Sequence, residues 1–245
     1  MLSFNIDEHG NPMNESVYVH IKSMFIDNEH PGIVNTCEGA QRQAGFRESG
    51  ALYQFHLGEA RFDLLPFGPG LVTDDRLTWP DSGRAMSTLG FTEAFEHAEV
   101  VPVAEDLSVS VVPIPCLVLL KIIAYQDRPS ERVRDLRDIV DHFEHYQEDG
   151  ERRFEIGIDV TIDGESLEYE YASAYLLGLD VAAISTNKSV AAVRRLLGII
   201  ADEYAAPIRQ ILSAERRIET AEARGQYVFK LFRVFGHGLE AGRRR

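Results

Sequence analysis

No stretch of the chain constrains the fold more than Val111 to Ala124, an apolar run in which Lys121 is the sole charge. Pro113-Ile114-Pro115 stops strand pairing and opens a helix from Cys116 to about Asp127, with proline in its first turn as helices tolerate. A helix that is apolar on nearly all sides must be buried, so the Lys121 ammonium must reach water, a carboxylate or a phosphate. A second helix is expected from about Ser130 to Tyr146, where Leu136, Ile139, Val140 and Phe143 recur at helical spacing. Asp135 and Asp138 are i and i+3 on it, hence on one face near its start, within reach of Lys121 or Arg128. Two readings stand side by side: a salt bridge between adjacent helices, or a phosphate-binding group.

A second charge stands out in the segment Ala60-Arg61-Phe62-Asp63-Leu64-Leu65-Pro66-Phe67-Gly68. A short run rich in Phe and Leu and closed by turn formers reads as a mostly buried strand, so Asp63 needs a compensating partner. It is either a metal-binding or proton-accepting carboxylate at a strand end, or an acid that caps the turn or pairs with Arg61.

Between these landmarks the chain alternates short strands and helices. Val17 to Ile21 alternates like a strand, a helix is expected around Gly32 to Ala44, and Leu52 to Leu57 with Arg61 to Leu65 make an antiparallel hairpin about Gly58-Glu59. Thr92 is placed to cap a short helix Glu93 to His97, and Val100 to Val103 and Leu107 to Val112 read as strands. Phe154 to Ile162 alternates and reads as a further strand. Beyond Ser166 the pattern is helical, over Leu167 to Leu177, Ser189 to Ala201, Tyr204 to Leu212 and Glu215 to Val234. The expected class is α+β, with a boundary near residue 150: a small mixed or antiparallel sheet flanked by helices over 1–150, and a helical bundle over 151–245. No internal repeat is evident.

Composition narrows the function. In 245 residues, 44% hydrophobic and 26% charged, the two cysteines Cys37 and Cys116 cannot form a framework, which fits a reducing cytoplasm. No apolar stretch reaches the ~18 residues a spanning helix needs, and no signal peptide opens the chain, so neither membrane insertion nor secretion is expected. A net charge of −14 argues against a broad grip on duplex DNA. The end of the chain differs: from Ala214 onward Arg216, Arg217, Arg224, Lys230, Arg233, Arg243, Arg244 and Arg245 outnumber the acids, as a patch for an acidic partner or RNA, or as a solvated helix face. His142 and His145 read as solvated helix residues, and neither cysteine lies in a nucleophile turn.

Taken in order, Arg61 to Gly68, Trp79-Pro80, Met86 to Ala94, Pro115 to Lys121, Arg128 to Asp138 and Tyr171 to Asp180 resemble the AbiEii-type branch of the nucleotidyltransferase superfamily. The resemblance covers roughly residues 45 to 185. It implies a nucleotidyltransferase-like sheet and transfer of a nucleoside monophosphate from a nucleoside triphosphate to an acceptor, RNA or protein, with Mg2+ or Mn2+. On it, Asp63 matches the third catalytic acid, which would activate the acceptor and position metal; Lys121 matches the lysine that approaches the triphosphate; Arg128, Asp135 and Asp138 complete a nucleotide-binding set facing one cleft. The family's Gly-Ser turn and first-strand Asp-x-Asp have no counterpart before Asp63, where Phe4-Asn5-Ile6-Asp7 places Asn5 at the first acid. A neutral amide binds a hard cation more weakly than a carboxylate. The alternative is therefore an inert relative that binds or regulates a partner, as in toxin–antitoxin or phage-defence pairs.

Overall fold

The computed structural model describes residues 2–4, 17–20, 47–48, 54–57, 60–63, 72–78, 83–104, 107–147, 150–162, 164–214 and 220–244. They belong to two compact units, Met1–Pro113 and Ile114–Arg245. The class is α+β, and every strand pairing among the described residues is antiparallel.

In the first unit, β1 (Leu2–Phe4), β2 (Val17–His20), β9 (Leu107–Val111) and β8 (Glu99–Ala104) form one sheet in that order. β8 and β9 are a hairpin in which Val101 lies opposite Val109, as the β-branched alternation of both segments predicts. The hairpin expected around Gly58-Glu59 is present as β4 (Gln54–Leu57) and β5 (Ala60–Asp63), preceded by β3 (Arg47–Glu48). Its register sets Asp63 opposite Gln54 at the end of β5. A smaller ribbon, β6 (Arg76–Thr78) with β7 (Ala85–Ser87), turns the buried Leu77 inward opposite Met86. Helix α1 (Phe91–Glu96) follows, and it begins earlier than Thr92 suggests: its N-cap is Gly90 in the left-handed region, φ 86°, with no side-chain cap. Glycine enters that region without steric cost, so the turn geometry overrides the Thr cap. The expected helix over Gly32 to Ala44 and the residues from Asn5 to Asp7 lie outside the described residues.

The second unit is mainly helical. It contains α2 (Ile114–Asp127), α3 (Val133–His145), α4 (Glu151–Asp159), a two-residue hairpin β10 (Thr161–Ile162) and β11 (Glu165–Ser166), and a 3-10 turn at Tyr169–Tyr171. After these come α5 (Ala172–Ile184), α6 (Asn187–Ile199), α7 (Ala206–Ala214) and α8 (Ala221–Gly242). The compact units divide between Pro113 and Ile114, whereas the change of pattern in the sequence falls near residue 150. Helices α2 and α3 pack on α5, α6, α7 and α8, because their apolar faces are covered there.

The strand expected over Phe154 to Ile162 is largely helix instead. The apolar alternation buries no strand face, Phe154 being 60% exposed, while on the same helix Arg152 reaches Asp180 on α5 and Arg153 lies 4.4 Å over the Tyr169 ring. Tertiary anchors of this kind override a weak local pattern.

The core of this unit centres on α5 and α8. Gly178 and Gly238 let the two backbones touch: a Cβ on Gly238 would stand 2.1 Å from the Tyr175 carbonyl oxygen, and one on Gly178 2.2 Å from that of Phe235. No side chain fits such a crossing. Beside it Phe143 of α3 meets Phe232 edge-on at 5.0 Å and Phe235 at 4.7 Å, all three fully buried. Thr186 caps α6 by accepting from the Ser189 backbone N–H, and Thr220 caps α8 through Ala223. Among the described residues no helix is long and apolar enough to cross a membrane.

Candidate functional site

The helical hairpin of α2 and α3, joined by residues 128–132, explains the lone lysine. Cys116, Val118, Leu119, Ile122 and Ile123 are all buried, which carries Lys121 inside with them, at 7% exposure. From there its Nζ donates to Asp138 Oδ2 at 2.5 Å and to Asp135 Oδ1 at 3.4 Å. The i, i+3 spacing of the two acids thus puts both on the face of α3 turned to α2.

Asp135 is as deeply buried as the lysine, at 6%. Its Oδ2 accepts no hydrogen bond and faces the Arg132 guanidinium at 3.6 Å. Burial pushes its carboxyl above the usual range, and Lys121 and Arg132 pull it back only in part. Its place in the first turn of α3 also favours a negative charge. Asp138 is a third exposed, so water shares its solvation. Arg128, expected with this set, sits at the end of the same hairpin in ion pairs with Asp127 (4.0 Å) and Glu131 (3.7 Å).

Lys121, Asp135 and Asp138 are therefore one cluster in the second unit, with Arg132 as a member that its i, i+3 spacing from Asp135 could have announced. Asp63 belongs to the first unit, at the end of β5. Asp135 and Asp138 do not fit a divalent cation as they stand: both face the Lys121 ammonium, which a second cation between them would have to displace.

A second polar tie escaped the sequence reading as a site. Asp180, the one charge in the otherwise apolar α5, accepts from both guanidinium ends of Arg152 at 2.8 Å and from the Tyr146 hydroxyl at 2.6 Å. Burial raises its carboxyl, but these donors outweigh burial and hold it below the usual range. The signal that singled out Lys121, a lone charge in an apolar helix, was equally present at Asp180. Nearby, the buried Arg224 donates to Glu144 at 2.7 Å. Asp141, Glu144 and His145 gather their ligand atoms within 4.8 Å, an unspecific grouping in which Glu144 already pairs with Arg224 and His145 Nδ1 contacts the Asp141 carbonyl.

Comparison of the chain with protein-family models, with curated proteins and with solved structures finds no match.

Proposed function

We propose that the chain is a nucleotidyltransferase-like protein that transfers a nucleoside monophosphate from a nucleoside triphosphate to an acceptor. The observation that carries this reading is the meeting of Lys121 with Asp135 and Asp138, residues 14 and 17 positions apart that the motif order groups as one nucleotide-binding set. On this reading the cations at the α2–α3 corner, Lys121 with Arg128 and Arg132, offset triphosphate charge, and the two aspartates hold the lysine in place. Asp63 takes the acceptor proton. Mg2+ or Mn2+ at Asp63 would supply neutralisation of developing phosphoryl charge.

The test is incubation of the full chain with each labelled nucleoside triphosphate, magnesium or manganese, and total RNA or cell protein. Label transfer should occur with the parent chain and fall by about a hundredfold or more in Asp63→Asn, with thermal stability retained. No transfer from the parent, together with no nucleotide binding in calorimetry, sinks the proposal.

One observation favours a second reading, the inert binding or regulatory relative. The Lys121 ammonium is engaged by two carboxylates and almost wholly buried, as suits an interhelical tie. Asn5 at the place of a first acid points the same way. Nucleotide binding without transfer from any of the four triphosphates would select it.

A further inference from the structure

Of the two aspartates that hold Lys121, Asp135 holds it loosely. Over nine-tenths buried, it offers Oδ1 to the ammonium at 3.4 Å, while its Oδ2 accepts no hydrogen bond. A proton arriving on Oδ2 therefore displaces no donor. At Asp180 the same proton would have to break into a carboxylate that already accepts three donated bonds.

The cation that faces the empty side of Asp135 is Arg132, 3.6 Å from Oδ2. Among the described residues Arg132 has no other carboxylate, and its side chain is 43% exposed, so an anion arriving from solvent can meet it. The charged groups that act on Asp135 are Lys121 from α2 and Arg132 and Asp138 from α3 itself; α5, α7, α8 and the 3-10 turn, which also pack on α3, bring none to it among the described residues. Two cations thus face two acids, and the cluster is neutral while both acids are ionised. Protonation of Asp135 leaves one positive charge in excess. Lys121 keeps its shorter bond, to Asp138, and Arg132 is the cation that loses its carboxylate. Burial favours this neutral form, since it pushes the Asp135 carboxyl above the usual range.

A phosphate that meets Arg132 competes with an ionised Asp135 for the guanidinium and is repelled by the same carboxylate. We propose that Asp135 is a proton-operated gate on the anion site: ionised, it occupies Arg132 and keeps the corner neutral; protonated on Oδ2 from solvent, it releases Arg132 to a triphosphate. The gate rests on the reading of the α2–α3 corner as a triphosphate site and adds that its affinity rises as pH falls.

The experiment measures binding of inorganic tripolyphosphate to the full chain by calorimetry, from about pH 8 to about pH 4, for the parent, Asp135→Asn and Arg132→Gln. Comparing chains at each pH cancels the titration of the probe itself. At the alkaline end Asp135→Asn should bind about tenfold more tightly than the parent. That advantage should shrink steadily as pH is lowered, because the parent takes up the proton that the amide imitates. Arg132→Gln should bind more weakly than the parent, by a factor that grows as pH falls. An affinity ratio of Asp135→Asn to parent that stays near one, or that is constant across the range, overturns the gate and leaves the triphosphate site standing. No binding to any of the three chains at any pH overturns the site and the gate together. If Asp135→Asn does not melt cooperatively, the other pair decides: parallel pH profiles for the parent and Arg132→Gln overturn the gate, and diverging ones support it.

Discussion

Lys121 on α2 and Asp180 on α5 are the same sequence event, a single charge in an apolar helix, with opposite electrostatic outcomes. At Lys121 both the lysine and Asp135 are over nine-tenths buried, and the partners do not fully compensate Asp135, whose carboxyl is pushed up. At Asp180 the acid is about a quarter exposed, its Arg152 partner about half exposed, and three donated hydrogen bonds saturate the carboxylate, which is held down. Depth and the number of donors, rather than the presence of an ion pair, decide which effect wins.

The contrast is broken most directly by removing the deep cation. Lys121→Ala leaves Asp135 buried against Asp138 with Arg132 as its remaining cation, and should cost about 3–5 kcal/mol of unfolding free energy in urea titrations. A loss below about 1 kcal/mol would mean that water reaches the pair. Asp180→Asn keeps the shape of the second tie but turns a charge-assisted acceptor into a neutral one, at about 1–2 kcal/mol in the same titrations. Arg152→Ala, at the exposed end of that tie, should cost less than about 1 kcal/mol, since the Tyr146 hydroxyl and water still serve the carboxylate.

The pH dependence separates the two acids by sign. Asp180, with a lowered folded pKa, adds stability above the unfolded carboxylate value that is lost as pH falls through its folded value. Asp135, with a raised folded pKa, does the reverse: its contribution is fully present below the unfolded value and lost as pH rises through the folded one. Denaturation of Asp180→Asn and Asp135→Asn against the parent between about pH 2 and pH 7 should give differences that drift in opposite directions. Drift in the same direction would erase the distinction drawn above.

Much of this was legible in the residues. Pro113 and Pro115 mark the start of α2, the Leu136, Ile139, Val140 and Phe143 stripe marks α3, and the i, i+3 spacing of Asp135 and Asp138 puts both within reach of Lys121. The helix at Glu151–Asp159 was not legible, because Phe154 and Ile156 fit a period of two, while the contacts of Arg152 with Asp180 and Arg153 with Tyr169 are made with residues distant in sequence. Asp180 shows the same signal as Lys121, a lone charge in an apolar helix, but no local pattern names its donors, which come from 28 and 34 positions away.

By itself the sequence determined which helices of the second unit must be buried and that Lys121 requires a partner, since transfer of apolar surface and desolvation of charge are properties of the residues. The tertiary structure decided that α2 and α3 pack with the helical unit, that Asp135 is strained by burial while Asp180 is relieved, and that α5 and α8 touch through Gly178 and Gly238. Those outcomes depend on how many donors and how much water reach a group across distant segments, and no local pattern of residues carries that number.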